Sequence, residues 1–103
     1  MDGKSSELSA LKEHVNIGLP PVMDITAAGR LASEILLHRG KDVTLDASGV
    51  ERLGGQCLQV LLSTAATWSH DGMHLEVANP SRQFSEALEA AGLVMDNLSA
   101  RNS

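Results

Sequence analysis

One point in this chain has the layout of a chemical site, Gly54-Gly55-Gln56-Cys57, where a loop meets a leucine-rich helical pattern, yet the residue types that usually do chemistry there are missing. Successive backbone N–H groups at such a junction form an anion-binding nest, and the helix dipole favours negative charge there. The phosphate loops that exploit this geometry carry a lysine or a G-x-G-x-x-G spacing. Neither is present, so the glycine pair reads as a tight loop-to-helix junction. A helix N-terminus also activates thiols, but only Arg52 stands near Cys57 in sequence, and a small, semi-buried hydrophobe is the more ordinary role. The four histidines (His14, His38, His70, His74) have no ligand spacing. His70 and His74 are four apart, but Asp71-Gly72 breaks the helix between them, so no metal site is expected. Asp46 closes a strand without a second acid or a lysine beside it, which suits a turn or cap. Ser48 is available for modification, and no Ser-His-Asp set has a local signature. The chain is therefore expected to be no enzyme and to hold no cofactor or metal.

The elements that position these residues follow from periodicity. Residues 1–12 are polar and small and read as a flexible N-terminal segment. Val15–Leu19 alternates apolar and polar as a short half-buried strand, ended by Pro20-Pro21. Asp24 is the expected cap of a helix whose apolar stripe is Ala28, Leu31, Ala32, Ile35 and Leu36. Gly40 is its stop. Val43–Asp46 is an interior strand, and Ser48-Gly49 turns the chain. The second helix runs from about Gly54 to His70, with Leu58, Leu61, Leu62, Ala65 and Trp68 inward. Strand 74–78 follows. Asn79-Pro80 is expected to open a third helix, with Asn as cap, Phe84, Leu88 and Ala91 inward and Gly92-Leu93 as the stop. The tail from Asp96 reads as loose. Strands alternating with helices imply an α/β sheet covered by helices, and the helical crossover makes strands 43–46 and 74–78 parallel.

Composition excludes several classes. The 103 residues suffice for one small domain, assigned to residues 13–95, with 96–103 as tail. A net charge of −5 argues against a nucleic-acid surface and a polybasic membrane patch. A single cysteine fits a reducing cytoplasm, and the first seven residues have no apolar leader pattern. No stretch approaches the roughly 20 apolar residues of a membrane span.

The order of elements and four segments resemble the STAS domain of bacterial anti-sigma-factor antagonists. The segments are Val43-Thr-Leu-Asp-Ala-Ser-Gly-Val50, the helix Leu58–Ala65, Leu75-Glu-Val-Ala-Asn-Pro-Ser81 and Leu88-Glu-Ala-Ala-Gly-Leu93. The resemblance implies a mixed sheet of about four strands covered by three to four helices. The variant Arg52–Leu62 is most similar to short stand-alone STAS proteins found with bacterial chemotaxis components. In the antagonists, an Asp-Ser-Ser-Gly motif opens the second helix, and a partner kinase phosphorylates the second serine. Alignment on Asp46–Val50 places Gly54 at the motif aspartate, Gly55 at the first serine, Gln56 at the phosphorylated serine and Cys57 at the glycine. Gln56 is thus a degenerate phosphorylation position. It cannot accept a phosphoryl group, although its amide can donate and accept hydrogen bonds without adding charge.

Gln56, Gln59, Ser63 and Thr67 fall at i, i+3, i+7 and i+11, bordered by Val60 and Thr64. A solvated face more often carries Lys and Glu, so this uncharged stripe suits docking. The expected partner surface is Gly54, Gly55, Gln56, Cys57, Gln59, Val60, Ser63 and Thr67. The resemblance implies a histidine-kinase-type or chemotaxis signalling protein as partner. A homodimer through the Val60/Cys57 edge is an alternative. Small STAS subunits of phospholipid ABC transporters dock on an ATPase and open this helix with Thr-Gly-Gly, where Leu53 here replaces the threonine. Some STAS domains are thought to bind nucleotides, against which stand the missing phosphate loop and the shortage of aromatics.

Overall fold

The computed structural model describes residues 14–101. The expected flexible segment 1–12 lies outside the described residues. The elements are β1 (His14–Gly18), β2 (Val22–Met23), α1 (Ile25–Leu36), β3 (Asp42–Asp46), β4 (Arg52–Leu53), α2 (Gly55–His70), β5 (Leu75–Ala78), α3 (Arg82–Ala90) and a 3-10 turn, Met95–Leu98. The strands make two sheets among the described residues, β1-β3-β5 and β2-β4, with every ladder parallel. The expectation of one sheet of about four strands is corrected to three plus two. The antiparallel component is a single bridge, Leu75 to Ala100.

Register follows from side-chain parity. Val15, Val43 and Leu75 share one inward row, and Ile17, Leu45 and Val77 the next. Asn16, Thr44 and Glu76 form a polar row on the opposite face. A parallel sheet buried on both faces would read as continuous apolar runs, whereas these strands alternate. The inward rows meet Leu31 and Ile35 of α1, Leu58, Leu61, Ala65 and Trp68 of α2, and Phe84 and Leu88 of α3 in one apolar core.

Each helix begins where a side chain or a strand contact fixes it. Asp24 caps α1 by accepting from the Thr26 and Ala27 N–H groups at 3.1 and 3.2 Å. α3 is capped by Ser81 rather than by the expected Asn79. The Ser81 hydroxyl accepts from the Phe84 N–H at 3.0 Å while donating to the Val50 carbonyl at 2.6 Å. One short hydroxyl does both, and Asn79 instead turns the chain at φ 53°. Ala91, expected inward, is the exposed C-cap of α3. The first strand ends at Gly18, before the Pro20-Pro21 pair, and pairing resumes beyond it in the second sheet. Proline lacks a donor but keeps its acceptor, and the Pro21 carbonyl takes the Glu51 and Arg52 N–H groups at 2.7 and 3.1 Å, leading into the β2-β4 ladder.

The expected loose tail is also corrected. Leu98 and Ala100 are buried, and Leu75 and Ala100 exchange two 2.8 Å backbone hydrogen bonds. Exchange with β5 satisfies backbone groups that a free tail would leave to water, and the core covers Leu98.

α1 and α2 run side by side in the same direction, tied at both ends. At the N-terminal end the Cys57 thiol donates to the Asp24 carbonyl at 3.2 Å. At the other end Arg39 donates to both oxygens of Asp71, at 2.7 and 3.1 Å. The pair is solvent-exposed, so it orients the helix ends more than it stabilises them.

Three carboxylates titrate below their ordinary value. Asp24 is lowered first by the Thr26 hydroxyl, Asp46 by the Ser48 N–H, and Asp71 by the Arg39 guanidinium. A depressed folded-state pKa contributes stability that is present above the unfolded value of about 4 and lost as pH falls through the folded value. The melting temperature is therefore expected to hold between pH 7 and 5 and to drop below about pH 4. Melts of D24N should show a shallower acid limb than those of the parent; an identical limb would remove Asp24 from this account.

Candidate functional site

The glycine pair divides into two different roles. Gly54 is the extended N-cap of α2, and its N–H donates to the Met23 carbonyl at 2.8 Å. A Cβ on Gly54 would stand 3.2 Å from that same carbonyl oxygen. The glycine lets the α2 entrance close against β2. A Cβ on Gly55 would meet nothing within 4 Å. Nothing in the fold demands glycine at 55, and the backbone there lies open to the surface. G55A is expected to raise stability by about 0.5–1 kcal/mol, since alanine is the better helix former. G54A should lower it by about 1 kcal/mol through overpacking against the Met23 carbonyl. Paired urea titrations check the opposite signs.

No side chain caps the α2 N-terminus. Sixteen residues follow without Asp, Glu, Lys or Arg, and His70 is the first side chain of that helix able to carry positive charge. Gln56, Gln59 and Ser63 are exposed, and Val60 and Thr67 are half-buried. They line one wall of a groove of about 300 Å³ between α1 and α2. Thr64, buried, joins them, and Ala32 and Leu36 of α1 form the facing wall.

The expected surface is altered at Cys57. Its side chain is fully buried, at the helix position facing Asp24, so it cannot touch a partner. Burial, and then the Asp24 carboxylate, pushes the thiol pKa up, which removes the reactive-thiolate option. Its place was readable, since Cys57, Leu61 and Trp68 fall at i, i+4 and i+11, one inward stripe. Leu62, expected in that stripe, is only half-buried.

The facing wall comes from α1. Leu36, expected inward, is 45% exposed, and Leu37 is 79% exposed. Adjacent leucines point about 100° apart on a helix, and with Ile35 turned into the core Leu36 and Leu37 are left on a second apolar surface. Asp46, by contrast, is absorbed by its turn. Its carboxylate accepts from the Ser48 N–H at 3.0 Å. Among the described residues, no three His, Cys, Asp or Glu side chains group to hold a metal. No described helix is long and apolar enough to cross a membrane.

A family model described as "Mlab, STAS domain" matches residues 7–97, most of the chain. The chain belongs to the STAS domain family. No curated protein and no solved structure matches it.

Proposed function

We propose that this chain is a non-enzymatic STAS interaction module of bacterial cytoplasmic signalling. It binds a histidine-kinase-type protein of the chemotaxis kind, or a related regulator, through α2 and the loop before it. The observation that carries the reading is the charge-free Gln56-Gln59-Ser63-Thr67 stripe bordering a groove beside exposed Leu36. An exposed helix without Lys, Arg, Asp or Glu has given up solubility that a purely solvated face would keep.

Gly54, Gly55 and Gln56 stand at the aligned motif positions, so the surface stays binding-competent without a serine switch. Capture assays with a purified chemotaxis-type histidine kinase test the reading. Retention of the kinase is expected, with no ATP-dependent release and no phosphate on the 54–57 peptide. Phosphate there, or no capture of the kinase, would count against it.

A second reading is a STAS subunit of a transporter. It draws support from the Gly54-Gly55 opening. A phosphorylation-independent anti-sigma-factor antagonist uses the same face. Neighbouring genes separate the three. Nucleotide binding is disfavoured, and melts with ATP and GTP are expected to show no shift.

A further inference from the structure

We propose that the element seated in the α1–α2 groove is an amphipathic helix of the partner, inserting a stripe of uncharged aliphatic side chains. The inference rests on α2 being the docking face and adds what that face accepts.

The floor settles the chemistry. The Thr64 hydroxyl donates back to the Val60 and Leu61 carbonyls at 2.8 and 2.9 Å. The Thr67 hydroxyl donates to the Ser63 carbonyl at 3.1 Å. With their donors spent on their own helix, both threonines offer methyl groups to the groove, beside Val60, Ala32 and Leu36.

An extended segment laid on these methyls would bring N–H and C=O groups into contact with carbon and leave them unpaired. A strand needs a sheet edge for that, and this groove lies between two helices. A helix satisfies its own backbone and presents only side chains, one ridge into the furrow. A charged knob would lose its hydration with no opposite charge on either wall, because none of the lining residues is ionisable. The complement of a neutral, methyl-floored furrow is therefore a Leu, Ile, Val or Met stripe at helical spacing. The Gln56 and Gln59 amides stand at its rim, where neither has a partner among the described residues, and suit the polar flank of such a helix.

The test uses three synthetic probes and isotope-labelled full-length chain. The first is a stapled helix with one leucine per turn on one face and Gln and Ser elsewhere. The second carries lysine at the leucine positions. The third has the first composition broken by prolines. The first is expected to shift the amide signals of Ala32, Val60, Ser63 and Thr67. The other two should bind roughly tenfold or more weakly. A32W should abolish the shifts with its circular dichroism unchanged, and L36N should weaken them.

The proposal is overturned if the proline-broken probe binds equally, if the helical probe leaves those signals unmoved, or if they move with chain concentration alone, which would make a second copy the occupant. Capture of the kinase separates the two levels. A kinase that binds while groove variants change nothing defeats this inference and leaves kinase binding standing. A groove that takes the helical probe while the kinase fails to bind does the reverse.

Discussion

Replacing Trp68 with alanine is expected to unfold a large part of the population at moderate temperature. Trp68 is the largest fully buried side chain. It lies where α2 meets the sheet, and its indole N–H donates to the Lys41 carbonyl at 2.7 Å, tying α2 to the entry of β3. Truncation removes the transfer energy of the ring, opens a cavity and strips that carbonyl of its indole donor, about 3–5 kcal/mol in all. Domains of this size hold about 5–15 kcal/mol, so the melting temperature should fall by roughly 12–40 °C. W68F separates the parts. It keeps most of the buried ring and loses the donor, and should cost about 1–3 kcal/mol. A W68A melt within a few degrees of the parent would mean that the core closes around the gap, and the hydrogen bond to Lys41 would then carry little.

The long elements were legible because burial on one side imposes a period. The α1 cap, the Gly72 stop, the β3 strand and the inward Leu58, Leu61, Ala65 and Trp68 of α2 stand as their residues predict, whereas α1 ends at Leu36, before Gly40. What escaped had no period to show. Arg52–Leu53 is a strand of two residues, defined by the Pro21 and Met23 carbonyls that it meets. Leu98 and Ala100 are buried by contacts between distant parts of the chain, and their neighbours are polar.

The candidate surface divides the same way. The α2 stripe could be read from spacing and from its lack of charge. The α1 wall could not, because only the packing of α1 on α2 decides that Ile35 goes in and Leu36 stays out. Sequence alone also could not separate the two glycines. Gly54 is needed for the close approach of the Met23 carbonyl, and Gly55 is needed by nothing in the fold.

The freedom at Gly55 and the missing charge on α2 lead to the second large effect. Q59E and S63E are each expected to weaken kinase capture on the order of a hundredfold with the fold intact. Both side chains are exposed, so the free domain loses little, about 0.5 kcal/mol or roughly 2–4 °C. In a complex, the new carboxylate would be covered beside a wall that holds no cation, and desolvation would cost about 3 kcal/mol.

Q59A and S63A supply the contrast. They lose contact area without adding charge and should cost much less. Q83E on α3, away from this groove, adds the same charge and should leave capture unchanged. If Q59E, S63E and Q83E all weaken capture alike, the loss is a matter of net charge. If Q59E and S63E still capture the kinase at parent affinity, α2 is a solvated face after all, and its missing lysines and glutamates have no bearing on binding.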